Sequence, residues 1–338
     1  MYKIVITDYE FPDLAPELTI FDGHNVELIT GPFESREVVM AACEEADAII
    51  NQYICIDAAF IRRLHRCQVI CRYGIGVNTI DVPAATEAGI MVANVPDGSL
   101  EDVSDHAAAL ILSLSRGLGI YDRAIREGEW NYQAAQPLHR LRGAVLGLVG
   151  FGNIPQRLAE KMRVFGMAAI AYDPYMPSAR AAEMGIELVG LDDLMCLSDV
   201  VSIHAPLTDS TRGLVGAREL ALMKPTAFLV NTSRGGIVDE DSLADALRTQ
   251  SIAGAGLDVF SAEPLPAQHE FAALDNTILS PHCAWYSEES ELEIRTKTAG
   301  NALSALFDGE PTYLVNAGVM PRIAAARVDK ATVLDVNY

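Results

Sequence analysis

Short runs of aliphatic and β-branched residues alternate, almost throughout the chain, with stretches whose apolar positions recur at helical spacing. The runs "KIVIT", "VELIT", "DAIIN", "QVICR", "AVLGLVG", "AAIAYD", "DVVSIH", "AFLVN", "AGAGLDV" and "TILSP" read as strands. Strands alternating with helices imply parallel sheets joined by crossover helices. So many strands exceed one sheet of ordinary width. The pattern therefore predicts an α/β chain with two doubly wound parallel-sheet domains.

Two longer helical stretches frame the central part. "SLEDVSDHAAALILSLSRGL" opens at Ser99, a suitable N-cap, with Glu101 and Asp102 in the first turn. Val103, Ala107, Leu110, Ile111 and Leu114 make its apolar face. The second begins near Ser287 in "SEES", runs through "ELEIRTKTAGNALSALFDG", and should stop at Gly309. This organisation predicts a discontinuous first domain, residues 1–100 plus 293–338, with residues 101–292 inserted as a second. The tail after Pro321 carries no readable role.

Composition narrows the function. The chain has 338 residues, 50% of them hydrophobic, enough for two cores. A formal net charge of -21 with no Lys/Arg cluster argues against nucleic-acid or anionic-membrane binding, though a local site can still take a small anion. No apolar run approaches the ~20 residues of a membrane span, and "MYKIVITDYEF" reads as a first strand rather than a signal peptide. Cys43, Cys55, Cys67, Cys71, Cys196 and Cys283 have neither C-x-x-C nor zinc spacing. Reduced thiols in a cytoplasmic protein without a metal are the expectation.

"GLVGFGNIPQ" follows the apolar strand Val145–Val149 and precedes the helical "QRLAEKMRVFG". In that context Gly150 and Gly152 match the first two glycines of a G-x-G-x-x-G dinucleotide fingerprint, and Pro155 stands at the third. Gly150 serves the tight turn and Gly152 lets a pyrophosphate approach the backbone. The amides of Asn153 and Ile154 lie at a helix N-terminus, where free donors attract phosphate. Proline in a first helical turn forfeits no intrahelical hydrogen bond, so a small displacement of the helix is expected rather than loss of the site. Asp173 ends the next strand, 21 positions after Gly152. An acid there binds ribose hydroxyls and repels a 2′-phosphate, favouring NAD over NADP; its alternative is to cap "DPYMP".

Three later strand ends bring Arg234 in "NTSRGG", Glu263 in "FSAEPL" and His282 in "SPHCAWYSEES". Loops at the carboxyl ends of strands converge on the ligand crevice of a doubly wound sheet. Singly, these residues read as a turn arginine, a solvated acid and a strand-end hydrogen bonder. Jointly, they suit oxidation of a 2-hydroxy acid or reduction of a 2-oxo acid. Arg234 holds the carboxylate and polarises the C2 oxygen, His282 moves the proton, and Glu263 orients the imidazole.

These segments, with "CRYGIGVNTID", "NVPDGSLEDVSDHAAALIL", "HAPLTDSTRGLVG" and "GEPTYLVN", resemble the D-isomer-specific 2-hydroxy acid dehydrogenases along nearly the whole chain. The resemblance implies a Rossmann-type NAD domain inserted in a flavodoxin-like substrate domain, with substrate in the cleft between them. It implies Arg234, Glu263 and His282 as the catalytic set, and carboxylate-binding amides at Gly74, Ile75 and Gly76. It further implies cofactor contacts from His106, Gly150, Phe151, Gly152, Asn153, Ile154, Asp173, His204, Ala205, Pro206, Thr211, Thr232, Ser233, Arg234, Asp258 and His282. A homodimer built on the long helix near residues 101–117 also follows from the family. "HCAWYSE" is similar to the C-terminal-binding protein branch, in which Trp285 would wall the substrate pocket. That likeness opens an alternative, an NAD(H)-sensing dimeric binding protein with little turnover. Tyr53 and Tyr73, both at strand ends, are candidates to border the substrate. Asn78 and Cys283 depart from the family's usual aspartate and alanine; Cys283 would make the site sensitive to oxidation.

Overall fold

The computed structural model describes residues 1–324; residues 325–338, which hold the rest of the tail and the end of the expected first domain, lie outside them. The chain divides into two compact units, residues 1–99 with 287 onward, and residues 100–286.

The first unit carries five parallel strands: β1 (Tyr2–Ile6), β2 (Val26–Thr30), β3 (Ala48–Asn51), β4 (Val69–Arg72) and β5 (Met91–Ala93), in the order β2-β1-β3-β4-β5. That is the flavodoxin-like order, with its switch point between β1 and β3. Ile4, Val5, Ile6, Ile49, Ile50, Val69 and Ile70 are wholly buried, because helices cover both faces of the sheet. Each such side chain contributes about 1.5–3 kcal/mol of burial.

Helix Glu288–Leu303 belongs to this unit, which therefore resumes at Ser287 rather than at residue 293. The Ser287 side chain accepts the Ser290 N–H at 3.0 Å, giving the helix its start. A wider turn, Ser304–Asp308, ends it, with Gly309 at φ 92°. On its buried side Arg295 donates twice to the wholly buried Glu17, at 3.0 and 2.9 Å, and the Tyr73 hydroxyl donates to the same carboxylate at 3.0 Å. The Arg295 guanidinium also lies over the Phe11 ring, 4.6 Å from its centroid.

The second unit holds seven parallel strands: β6 (Val145–Val149), β7 (Ala168–Tyr172), β8 (Glu187–Leu188), β9 (Val200–Ile203), β10 (Phe228–Asn231), β11 (Gly254–Leu257) and β12 (Thr277–Leu279). Their order, β12-β11-β10-β9-β6-β7-β8, puts the switch point between β6 and β9. Helix Leu100–Ser115 buries Val103, Ala107, Leu110, Ile111 and Leu114, as its spacing requires. It stops before "RGL". Gly117, at φ 61° with Ala135 beside it, breaks the chain into a second helix, Leu118–Arg126. The sequence pattern did not reveal β5 or β8, which are three and two residues long. Among the described residues, no helix is long and apolar enough to cross a membrane.

Candidate active site and dinucleotide crevice

The fingerprint turn sits at the switch point of the second sheet. Gly150 has φ 92°, and a Cβ there would lie 2.7 Å from the Ala205 nitrogen and 2.9 Å from the His204 carbonyl carbon. Only glycine fits where the loops after β6 and β9 meet this closely. At Gly152 a Cβ would meet nothing within 4 Å, so this residue faces open space. Gly152 is also the N-cap of helix Asn153–Val164. The N–H groups of Asn153 and Ile154 therefore have no intrahelical acceptor and point out of the helix start. Pro155 is the third helical residue, where an N–H would be unpaired anyway, and its ring is buried. These features fit a bound dinucleotide pyrophosphate.

Asp173 follows β7 and works on both sides of its loop. Its Oδ2 accepts the Phe151 N–H at 2.9 Å, while Oδ1 accepts those of Tyr175 at 2.8 Å and Met176 at 3.1 Å. It thus caps "DPYMP" and ties that loop to the fingerprint. After β9, the buried environment of His204 pushes its imidazole down to about 3, leaving it neutral and joined to Ser202 Oγ at 2.8 Å. Ala205 accepts the Ser233 hydroxyl at 2.6 Å, and Pro206 that of Thr211 at 2.5 Å. Thr232 follows β10, and its Oγ1 is buried with no hydrogen-bond partner. An orphaned hydroxyl in this crevice is what a polar ligand would satisfy.

The catalytic candidates come from the loops after β10, β11 and β12. His282 Nδ1 lies 2.6 Å from Glu263 Oε2, and Glu263 Oε1 accepts the Phe260 N–H at 2.9 Å. Burial raises the Glu263 carboxyl, but hydrogen bonds from His282 and Phe260, with the Arg234 charge, hold it below its ordinary value. An ionised carboxylate only accepts, so Nδ1 carries a proton and Nε2 is the ring nitrogen left to face a substrate. Burial lowers the Arg234 guanidinium, and the Glu263 charge opposes this. Arg234 Nη1 donates to the Ser233 carbonyl at 2.6 Å.

His282 also has φ 54°, a conformation that non-glycine residues rarely adopt. Its N–H donates to the Asp258 carbonyl at 2.8 Å. The Asp258 carboxylate accepts the N–H groups of Cys283 at 3.0 Å and Ala284 at 2.9 Å, and the Ser280 hydroxyl at 2.6 Å. Asp258 therefore clamps the turn that carries the histidine. Ser280 spends its one hydrogen on Asp258, so His106, 2.9 Å away through Nε2, must be its donor. The clamp and Ser280 escaped the sequence reading. A serine two positions before the histidine was the available signal. Trp285 follows on the same turn, edge-on to Tyr286 at 5.7 Å.

In the first unit the loop after β4 is fixed through its carbonyls. Gly74 C=O accepts the Val95 N–H at 3.0 Å, and Ile75 C=O accepts Asn94 Nδ2 at 2.6 Å. Trans peptides point N–H opposite to C=O, so the amides of Ile75 and Gly76 face away from Asn94 and Val95. Gly74 has φ 117°, and a Cβ there would run into the Arg72 guanidinium. Tyr53 is half exposed, and its hydroxyl donates to Glu10 Oε2 at 3.0 Å. Tyr73 points elsewhere: it is buried against Glu17 and Phe11, so it supports the fold and does not line an open surface.

Residues 108–284 match the family model described as D-isomer specific 2-hydroxyacid dehydrogenase, NAD binding domain. The chain is 36% identical over 308 residues to D-3-phosphoglycerate dehydrogenase of Mycobacterium bovis, covering 90% of this chain and 58% of that protein. The chain thus spans little more than half the length of that relative. It is 37% identical over 291 residues to glyoxylate reductase of Korarchaeum cryptofilum, covering 85% and 87% of the two chains. Among solved structures, a glyoxylate reductase from Paecilomyes thermophila superposes with a TM-score of 0.85 at 29% identity, covering 93% of this chain and 98% of that one. Two parallel α/β units, a glycine turn at the switch point and these likenesses agree: the chain belongs to the D-isomer specific 2-hydroxyacid dehydrogenase family.

Proposed function

We propose that the protein is an NAD-dependent oxidoreductase that interconverts a D-2-hydroxy acid and a 2-oxo acid. The observation that carries this reading is the His282–Glu263 hydrogen bond of 2.6 Å in the same loop cluster as Arg234. When bound, the nicotinamide ring supplies the hydride acceptor or donor. In oxidation His282 Nε2 takes the C2 hydroxyl proton; in reduction it returns it. Glu263 fixes the tautomer that leaves Nε2 available and stabilises the imidazolium once formed. Arg234, always cationic, binds the carboxylate and the C2 oxygen with its fork of donors. The Gly74, Ile75 and Gly76 amides are further donors to that carboxylate, and Tyr53 and Trp285 select the substrate's side chain. An aromatic wall favours a small uncharged side chain over a phosphorylated one.

The dinucleotide would be held by Gly150, Phe151, Gly152, Asn153 and Ile154 at its phosphates and by Asp173 at the ribose. The segments His204–Pro206, Thr211, Thr232, Ser233, His106 and Asp258 supply its remaining contacts. Asp173 favours NAD over NADP by charge. The domain roles follow, dinucleotide in the second unit and substrate recognition in the first, for a protein working in the cytoplasm.

A homodimer is part of the same proposal. The segment after helix Leu100–Ser115 exposes Leu118, Ile125, Trp130 and Tyr132, with Trp130 94% exposed. Beside it lies a cleft of about 870 Å³ bordered by Leu114, Ile120, Leu138 and Phe228. So much apolar surface on one short arm suits a second copy of the chain. The likeness of "AWYSE" to the corepressor branch supports a second reading, an NAD(H)-sensing binding protein. Mixing the protein with NADH and a panel of 2-oxo acids separates the two. Consumption of NADH with a D-2-hydroxy product supports the enzyme, and NADH binding without turnover supports the sensor.

A further inference from the structure

The cysteine spacing carries no metal signature, yet folding assembles a donor set from one helix and two neighbouring strand ends. One ring nitrogen of His106, one carboxylate oxygen of Asp258 and the Sγ of Cys283 all lie within 4.8 Å of one another. His106 Nε2 and Asp258 Oδ1 are already 3.6 Å apart. Tetrahedral zinc, with bonds of roughly 2.0–2.3 Å, needs ligand atoms roughly 3.3–3.8 Å apart. One edge of that tetrahedron is therefore in place, and the two edges to the Cys283 Sγ are within 4.8 Å.

The three residues differ in a useful way. Asp258 is buried and held by the amides of Cys283 and Ala284, so its position is set in advance. His106 and Cys283 are only partly buried, which leaves an approach for an ion. Thiolate, imidazole and carboxylate together suit zinc or cobalt and disfavour magnesium and calcium, which prefer oxygen donors alone. Three protein ligands leave a fourth position for water or for Ser280 Oγ.

We propose that His106, Asp258 and Cys283 form a site for a thiophilic divalent ion, with zinc the metal it takes, and that its occupancy excludes the dinucleotide. Binding replaces the Cys283 S–H bond with an S–Zn bond and releases that proton to solvent. His106 turns from donor to ligand as its remaining proton moves to the other ring nitrogen. The metal site stands on this donor set alone, whereas the exclusion rests on the proposed contacts of His106 and Asp258 with NAD. Cys283 belongs to no part of the proposed catalytic machinery, and so gives a clean test.

The full chain is titrated with Co²⁺, whose thiolate charge-transfer absorption reports sulfur ligation, and Zn²⁺ is then added in competition. The expected result is a thiolate band saturating at one Co²⁺ per chain, displaced by Zn²⁺ and absent in Cys283→Ala. That variant should keep wild-type turnover without metal and resist zinc inhibition at least ~10-fold more than wild type. No thiolate band, or an undiminished band in Cys283→Ala from the exposed Cys55 or Cys196, overturns the site. A band unchanged by saturating NADH, while NADH fluorescence reports binding, overturns the exclusion. Failure of NADH to bind at all is a separate result, which overturns the dinucleotide reading and leaves the band to judge the metal.

Discussion

His282 Nδ1 and Glu263 Oε2 stand 2.6 Å apart, and the histidine is held there in a left-handed backbone conformation at φ 54°. The strain of such a conformation, of order 1–3 kcal/mol, is borne by the surrounding hydrogen bonds, chiefly those that Asp258 accepts. Rigid aim is what proton transfer at a defined atom requires.

The dyad makes a pH-dependent prediction. Glu263 titrates below its ordinary carboxylate value in the folded protein. A depressed folded value means that its contribution to stability is complete above the unfolded carboxylate range and is lost as pH falls through the lower folded value. Glu263→Gln should therefore be less stable than wild type at neutral pH, and the difference should vanish in acid. Thermal unfolding from neutral to acid pH checks this, and a gap that widens in acid contradicts it.

The fingerprint glycines and the proline should behave in opposite ways. Gly150→Ala forces a side chain into φ 92° and against Ala205, costing more than the ~1–2 kcal/mol of the left-handed conformation alone. NADH binding, followed by fluorescence, should be lost. Pro155→Gly should keep NADH affinity at the wild-type level and lower stability by more than ~1 kcal/mol, since both chain stiffness and a buried ring are removed.

Glu17 and Arg295 are a third case. The pair is buried, with Arg295 4% exposed and Glu17 fully enclosed. Glu17→Ala leaves the guanidinium with weaker partners at Asp13 and Glu291 and should cost about 3–5 kcal/mol in urea unfolding. A loss under about 1 kcal/mol would place the pair among surface-like ion pairs.

Much of this was legible in the residues themselves. Strands buried on both faces, such as Ala48–Asn51 and Val200–Ile203, leave apolar runs that can be read directly. Gly150, Gly152 and the Arg–Glu–His order sit in loops whose place follows from the alternation. What stayed hidden depends on tertiary contact. The helix break at Gly117 answers to Ala135, packed against it, which no local pattern reports. Tyr73 stands at a strand end like a pocket residue, yet Glu17 and Phe11 hold it in the core. The Asp258 clamp joins two strand ends, and the His106–Asp258–Cys283 cluster adds a histidine more than a hundred positions upstream, so neither has a spacing to recognise.

The most direct measurement follows NADH consumption with 2-oxo acids for wild type and His282→Ala side by side, with NADH binding measured for both. Wild type should turn over at least one 2-oxo acid. The variant should bind NADH as tightly while its turnover falls by ~10²–10⁴. Near-wild-type turnover in His282→Ala would contradict the assignment of His282 as the proton donor and acceptor on which the proposed activity depends.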